Sequence, residues 1–472
     1  MPGGSPPGFF QHFKIRIVKI LKFFLFVPLL ISCSCSDSNN GTPVVPTPPS
    51  TLTDEQLLDK VQLDALKYFW EYAETNSKLA RERYHIDNPS VDANLVTTGG
   101  SGFGLMTILV GIERGFVPRE EAVARMTTSL DFLENADRFH GAWPHWLNGT
   151  NGDVVPFGND DDGGDLVETS FLCQALICVR EYFKDGTPAE QALAQKADAL
   201  WKGVDWTWYT RGGQNVLYWH WSPNFEWVKN FKLEGYNECL ITYIMAASSP
   251  THPVGADAYN QGWARNGAIV SGNSHYNLPL VFKHNGTNSV GPLFWSHYSH
   301  LGLDPTGLTD QYGDYWQLNQ NHAKIIYNYC QANPIGWNGY SEKCWGLTAS
   351  YSRNSDGSTG YSAHQPNNDK GVITPTAALS SFPYTPEESM RMLRYLYEER
   401  TDLIGIAGPY DAFSPHYNWR TARYLAIDQG TIVPMIENYR SSMLWDLFMG
   451  APEVKAGLLS LGFSSTKHSL AP

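Results

Sequence analysis

About a dozen apolar segments with helical spacing recur along this chain of 472 residues, and long loops separate many of them. In the first segment, 54–74, Leu57, Leu58, Val61 and other apolar side chains return every three or four residues, which is the period of one helix face. Thr53, just before this segment, is typical of a helix N-cap. Further helices are predicted over 103–115, 118–136, 165–183, 189–206, 234–247, 310–330, 386–399, 431–449 and 451–461, with shorter pieces near 256–266 and 374–381.

The rest of the chain after Thr53 has no strand-rich block and no second linker. We therefore predict one all-α domain over 54–465. Between its helices lie four loops rich in Gly, Asn, Asp, Trp and His, at 138–164, 207–233, 267–309 and 331–373. Loops of this length in a compact domain are usually functional. This alternation suits a toroid of helical hairpins whose loops build a cleft at one end; two separate helical domains are the alternative.

Residues 1–32 have the pattern of a secretory signal peptide. They begin with a basic stretch without acids and end in an apolar run that, at about ten residues, is too short to span a bilayer. The motif LISC at 30–33 resembles a bacterial lipobox, which implies cleavage before Cys33 and a lipid on its thiol; an ordinary signal peptide is the alternative. The Pro-, Ser- and Thr-rich stretch 33–53 then reads as a tether. We expect an exported, periplasmic or membrane-anchored lipoprotein.

The net charge and the aromatic content of the chain limit the functions that it can have. The chain has 34 Lys and Arg against 47 Asp and Glu, a net charge of −13, which argues against a nucleic-acid partner. Its 16 Trp, 25 Tyr and 22 Phe are compatible either with a large core or with rings that stack on sugar C–H surfaces.

Five cysteines lie beyond the N-terminal segment, and none forms a CxxC pair, so a structural zinc site is not expected. Cys173, Cys178 and Cys239 lie in apolar helical stretches, where a buried free thiol is typical. Cys330 and Cys344 could pair in an oxidising compartment.

Acidic residues crowd the sequence NDDDGGDLVETS at 159–170. Asp165 and Glu168 would lie in the first turn of a helix, where the helix dipole and a capping box favour acids. Capping does not account for the three aspartates before the turn, among them Asp161. Crowded carboxylates raise one another's pKa, which prepares a general acid. Calcium binding is the alternative, although the spacing does not match an EF-hand loop.

Two further acidic groups lie at predicted helix mouths. Glu234 and Glu238 are four residues apart and are expected to share one helix face. Asp428 precedes Gln429 and Gly430 at a predicted turn before a helix, where it could instead be a simple cap. In the helix that follows, Glu437 and Arg440 are three residues apart and are expected to form an internal ion pair.

Three acidic groups among aromatic loops favour glycoside hydrolysis, which needs one carboxylic acid and one carboxylate. Candidate sugar-stacking residues are Trp143, Trp146, Trp219, Trp221, Trp227 and Trp295. His297 is a further candidate for substrate binding; with His300, it could also be hydrogen-bonded scaffolding. The sequence GGSGFG at 99–104 fits neither a phosphate loop nor a nucleophile elbow. We expect no metal and no cofactor.

Three segments carry a family resemblance: EGYNE at 234–238 with the SPTHP that follows, DGGDLVETSFL at 162–172, and AIDQGTIVPMIENYRSSMLWDLF at 426–448. They resemble the bacterial "putative glucoamylase" domain, and within it the β-1,2-glucanases of glycoside hydrolase family 144, over about 55–462. The resemblance implies an (α/α)6 toroid and inverting hydrolysis of β-1,2-glucan to sophorose or longer sophorooligosaccharides. It implies acids at the positions of Asp161, Asp165, Glu168 and Glu238. The older label "glucoamylase" would instead imply hydrolysis of α-1,4-glucan.

The predicted mechanism is a single displacement by a monomeric enzyme. Glu238 protonates the leaving oxygen, and a second carboxylate activates water on the opposite sugar face. Asp428 is the first choice for this base, and the cluster of Asp161, Asp165 and Glu168 is the second. The two carboxyl groups should then be about 6.5–9.5 Å apart. The alternatives are an α-glucan hydrolase or another β-glucosidase on the same toroid, a polysaccharide lyase, and a non-catalytic glycan-binding lipoprotein.

Overall fold

Twelve α-helices carry most of the regular backbone in residues 52–471, the part of the chain that the computed structural model describes. They are α1 (Asp54–Trp70), α2 (Thr98–Glu113), α3 (Arg119–Asn135), α4 (Leu166–Phe183), α5 (Pro188–Lys202), α6 (Leu240–Ser248), α7 (Tyr315–Ala332), α8 (Pro375–Leu379), α9 (Pro386–Arg394), α10 (Ala426–Ser441), α11 (Met443–Gly450) and α12 (Pro452–Ser460). The chain is therefore helix-rich, as the sequence predicted.

Short strands lie in the loops between these helices. They are β1 (Arg83–His85), β2 (Leu95–Thr97), β3 (Trp146–Asn148), β4 (Val154–Val155), β5 (Gly164–Asp165), β6 (His220–Trp221), β7 (Ser274–His275), β8 (Leu278–Pro279), β9 (Leu308–Thr309), β10 (Ala349–Arg353), β11 (Thr359–Ala363), β12 (Ile404–Gly405), β13 (Gly408–Pro409), β14 (Phe413–Ser414), β15 (Trp419–Arg420), β16 (Arg423–Leu425) and β17 (Ser464–Ser465). They pair antiparallel into sheets of two or three strands, such as β1 with β16 and β10 with β11. The pairing fixes the loops to one another.

The start of α1 follows local capping chemistry. At α1, the Thr53 hydroxyl accepts a hydrogen bond from the Gln56 N–H, and the Gln56 side chain accepts one from the Thr53 N–H. This capping box satisfies donors that the first turn leaves free, and it confirms Thr53 as the predicted N-cap.

The glycine-rich sequence at 99–104 lets two buried helices approach closely. It lies in the first turns of α2, which packs against α4 and α10. A Cβ on Gly102 would lie 2.7 Å from Cα of Leu172 and 2.8 Å from the carbonyl oxygen of Phe171, both on α4. The motif thus serves helix packing, where any side chain would separate the two backbones.

Three predicted helix boundaries are wrong near the acidic residues. Helix α6 begins at Leu240 rather than 234, because Gly235 has a positive φ of 79° and residues 234–239 are not helical. Glu234 and Glu238 therefore do not share a helix face. Helix α10 begins at Ala426 rather than 431, so Asp428 lies inside its first turn and is not its cap. Helix α7 begins at Tyr315 rather than 310.

The predicted ion pair between Glu437 and Arg440 does not form. Glu437 is bound through both carboxylate oxygens by Arg114, at 2.8 Å each. Arg440 pairs instead with Glu55 and Asp59 of α1. These contacts join α10 to the end of α2 and to α1.

The five described cysteines are all free and buried. This confirms the prediction for Cys173, Cys178 and Cys239. The suggested pairing of Cys330 with Cys344 is wrong, because both thiols remain free in the packed interior.

The predicted signal peptide, Cys33 and the tether lie outside the described residues. Within residues 52–471, none of the helices combines the length and the apolar character needed to cross a bilayer.

We expect Gly102→Ala to lower the free energy of unfolding by about 1–3 kcal/mol, because the added methyl overlaps backbone atoms that cannot rotate away. Urea denaturation measures this. Gly450→Ala is the matched control, since a Cβ there meets nothing within 4 Å and alanine favours a helix. Equal stability of Gly102→Ala and the wild type would contradict the close-packing role.

Candidate active site

Acidic residues from three helix N-termini meet around one tyrosine. Asp165 and Glu168 lie at the start of α4, Glu238 precedes α6, and Asp428 lies in the first turn of α10. After burial, the negative charges of Asp428, Glu168 and Glu238 contribute to raising the pKa of Tyr298 well above its ordinary value. The structure therefore brings the three predicted acidic groups together.

Asp165 is the most strongly held of these acids. One of its oxygens accepts hydrogen bonds from the N–H groups of Val167 and Glu168, and the other lies 2.8 Å from Nδ1 of His145. Burial alone would raise its pKa, but the hydrogen bond from His145 and the charges of His220 and His145 lower it. Asp165 is thus an ionised carboxylate, and both of its oxygens already accept hydrogen bonds.

Glu168 reaches away from its own helix. Its Oε2 accepts a hydrogen bond of 2.7 Å from the N–H of Gly99 at the start of α2, so it does not close the capping box considered from the sequence. Burial, with a further contribution from Asp165, raises the pKa of Glu168 to about 7 against the opposing charge of His145. His145 responds in the other sense: burial lowers its pKa, but the charges of Glu168 and Asp165 outweigh this and raise it to about 9.

Glu238 has the character of a general acid. It is half-buried and forms no ion pair among the residues that the structure describes. Burial raises its pKa to about 7, its own backbone N–H and the Trp295 indole oppose this rise, and the charges of Glu168 and Asp165 add to it. A carboxyl group with this pKa is partly protonated at neutral pH and can donate its proton.

Asp428 is buried and accepts a hydrogen bond of 3.3 Å from the Tyr298 hydroxyl. Its neighbour in space is Asp411, a buried residue between β13 and β14 that the sequence analysis missed. Asp411 accepts a hydrogen bond of 2.8 Å from the N–H of Tyr351. Burial, followed by the charge of Asp411, raises the pKa of Asp428 well above its ordinary value.

The three aspartates before α4 have different surroundings. Asp161 is buried and lies 3.3 Å from Nδ1 of His220. Asp162 accepts hydrogen bonds from Ser222 and Asn224 and so fixes the neighbouring turn. Asp160 is exposed. Within residues 52–471 the acids, cysteines and histidines form no group of three placed to hold a metal ion.

The sugar-stacking prediction is wrong for one tryptophan. Trp143 is fully buried, donates its indole N–H to the carbonyl of Leu133 at 3.0 Å, and is covered by the Arg138 guanidinium. Its ring faces therefore cannot stack on a sugar.

The other predicted tryptophans and Glu234 are half-buried: Trp146, Trp219, Trp221, Trp227 and Trp295. Of these, Trp295 contacts the Glu238 carboxyl. Trp146 packs edge-on against Phe157, whose exposed ring lies 3.9 Å from that of His145. Trp146 is thus linked through ring contacts to His145, the partner of Asp165.

His297 does not reach the acids either. It is buried, and its Nε2 lies 3.0 Å from the Ser381 hydroxyl. His300 is buried too, with Nδ1 3.0 Å from the Leu303 carbonyl oxygen. The scaffolding alternative describes both residues, and the substrate-binding prediction for His297 is wrong.

Three residues of the site were missed by sequence reasoning. His145 and Tyr298 stand inside the motifs GAWPHW and FWSHYSH, whose tryptophans drew attention instead. Asp411 is a single acid in the aromatic stretch GPYDAF. Its isolation between apolar residues was the available signal, because a lone buried carboxylate is costly unless it is paired or used.

Comparison with known proteins identifies the family. A profile described as "Putative glucoamylase" matches residues 230–452. A solved structure of an endo-β-1,2-glucanase from Chitinophaga pinensis is 55% identical, covers 88% of this chain and 99% of its own, and superposes with a TM-score of 0.85. The chain belongs to the "putative glucoamylase" family that includes the β-1,2-glucanases of glycoside hydrolase family 144.

Two further relatives extend the comparison. A "putative glucoamylase" structure from Bacteroides caccae is 55% identical, covers 88% of this chain and 100% of its own, and has a TM-score of 0.85. An exo β-1,2-glucooligosaccharide sophorohydrolase of Parabacteroides distasonis is 43% identical over 441 residues, which are 89% of this chain. The chain spans only 60% of that curated relative's length.

We expect Glu238→Gln to stabilise the protein at about pH 8. Because burial raises the folded-state pKa of Glu238 from 4.5 to about 7, the folded protein binds more protons than the unfolded chain between these values, and stability falls as pH rises through this window. The variant lacks this loss, so its Tm should exceed the wild-type Tm at about pH 8 and approach it at about pH 5.

The control for this measurement is Glu342→Gln, at an exposed position. A Tm difference for Glu238→Gln that does not change with pH would show that the carboxyl is not held protonated.

Proposed function

We propose that this protein is a glycoside hydrolase that cleaves β-1,2-glucan to sophorose or longer sophorooligosaccharides. The observation that carries the proposal is the group of Glu238, Glu168 and Asp428 around Tyr298, within a chain 55% identical to an endo-β-1,2-glucanase. Acid and base carboxyls within one site are what glycosidic bond cleavage requires.

In the proposed reaction, Glu238 protonates the leaving glucosyl oxygen, directly or through an intervening hydroxyl or water. Its unpaired state and its pKa near 7 suit this role at neutral pH. Asp428 takes the proton of the attacking water on the opposite face of the sugar. Asp165, whose oxygens are used by His145 and by two backbone N–H groups, keeps the negative charge that adds to the pKa rise at Glu238.

The proposed architecture is an (α/α)6 toroid. The packing contacts support it, because α2 packs against α4 and α10, α4 against α6, and α10 against α8. The segment 298–300 packs against α6, and His297 bonds Ser381 just after α8. This sequence of neighbours returns to its starting helix, with the site at the N-terminal ends of α2, α4, α6 and α10.

The test of substrate and acid is an assay on β-1,2-, β-1,3-, β-1,4- and α-1,4-glucans with product sizing. We expect reducing ends from β-1,2-glucan, with internal cleavage that gives mixed lengths. Glu238→Gln should lower kcat by about 100-fold or more, and Glu342→Gln should match the wild type. Turnover of α-1,4-glucan instead, or binding without turnover, would overturn the proposal.

Stereochemistry is tested separately by following the anomer of fresh product with NMR. We expect inversion, because a single displacement delivers water to the face opposite the leaving group. Retention of configuration would rule out the roles given to Glu238 and Asp428 as an inverting pair.

We also propose that the protein is exported and anchored by a lipid on Cys33. The lipobox-like LISC at 30–33 and the tether-like 33–53 support this. Cys33→Ser should move the protein from the membrane fraction to the soluble fraction, while Cys35→Ser, two residues along, should not. Membrane association that survives Cys33→Ser would contradict the anchor.

A further inference from the structure

Two buried carboxyl groups contact each other at the base side of the site. Asp411 and Asp428 are 5% and 3% exposed, and their side chains are within hydrogen-bonding reach of each other. One carboxylate oxygen of each, Oδ1 of Asp411 and Oδ2 of Asp428, is buried without a donor among the described residues. Two ionised carboxylates in contact, each with a bare buried oxygen, would be strongly unfavourable.

The donors around this pair are few. Asp411 accepts the backbone N–H of Tyr351, and Asp428 accepts the hydroxyl of Tyr298. Neither aspartate has an ion pair in the described part of the chain. A single proton between the two carboxyls would give both bare oxygens a partner.

The charged groups that face the pair do not supply that partner. Glu82 adds negative charge to both aspartates. Burial raises the pKa of Tyr361, on β11, well above its ordinary value, and the charges of Asp428, Asp411 and Glu82 add to this rise. Of the nearby cations, Arg83 donates its hydrogen bonds to Glu82, and the Arg423 guanidinium lies 5.3 Å from the Tyr351 ring.

We propose that Asp411 and Asp428 share one proton and act as a dyad, in which Asp411 is the positioning residue that lets Asp428 serve as the base. This inference rests on the proposed function and adds to it a residue outside the family motifs that the sequence displayed. The shared hydrogen bond orients the Asp428 carboxyl, while the Tyr351 N–H fixes that of Asp411.

The proton balance follows from the shared proton. As water attacks the anomeric carbon, its proton passes to Asp428 and the shared proton moves to Asp411. The new C–O bond replaces the glycosidic bond, whose oxygen leaves with the proton of Glu238. The dyad then holds two protons and returns one to solvent, and Glu238 takes one from solvent.

The decisive variant is Asp411→Asn, which keeps an acceptor for Tyr351 and donates an N–H to Asp428. In the wild type, the shared proton stabilises the singly ionised dyad and keeps low the first pKa of the pair, which sets the acidic limb of the kcat/KM profile. Because an amide N–H is a weaker donor than a carboxylic acid, this limb should move up by about one pH unit or more in the variant. KM should change less than twofold. Asp402→Asn, an exposed aspartate of the preceding loop, is the control and should leave the limb in place.

A second measurement does not need activity. The infrared difference spectrum between wild type and Asp411→Asn at about pH 8 should show the loss of one protonated-carboxyl band. An unmoved acidic limb together with an unchanged band would overturn the dyad.

Failure of the proposed function gives a different pattern. Asp428→Asn should lower kcat by about 100-fold or more. Full activity of this variant would remove Asp428 as base, whereas loss of the infrared band in Asp411→Asn would still establish the shared proton.

Discussion

The site depends on burying several carboxyl groups beside one another with too few cations to neutralise them. Each helix N-terminus favours one negative charge, but burial raises the pKa of Glu168, Glu238 and Asp428, and a neighbouring carboxyl adds to the rise at each of them. Asp165 is held ionised, chiefly by the hydrogen bond from His145, and the proposed dyad of Asp411 and Asp428 keeps one further negative charge. Neighbouring acids are thereby separated into a charged group and proton carriers, which is the division that acid–base chemistry requires.

Close helix packing is what allows this crowding. Gly99 and Gly102 let α2 approach α4 until a backbone N–H of α2 reaches the Glu168 carboxylate. A wider spacing would leave Glu168 to water or to its own helix. The charges at the N-terminal end of α4 therefore depend on the glycines of α2. The GGSGFG motif at 99–104, which matched no known catalytic loop, thus has a structural role next to the site.

Sequence periodicity predicted the helices well where one apolar face decides, as in α1 with its Thr53 cap. It failed at EGYNE, where Gly235 has a positive φ and α6 begins only after the motif. The spacing of apolar residues carries no information about the backbone angle of a single glycine. The partner of Glu437 is Arg114, 323 residues away, which local spacing cannot indicate. The acidic groups were recognisable as unusual at helix mouths. The only sequence signal of Asp411 was its isolation between apolar residues, and its role became clear from the contact with Asp428. Trp143 shows that a tryptophan in a loop can still belong to the core.

Within residues 52–471, eight small antiparallel sheets fasten loops to one another, and several of them join distant parts of the chain, such as β1 with β16 and β9 with β17. Backbone already ordered in this way has little freedom left to lose when a polymer settles on it. For the proposed glucan substrate, the entropic cost of association then falls mainly on the flexible saccharide, so that affinity is governed by how readily the ligand adopts the shape the protein presents.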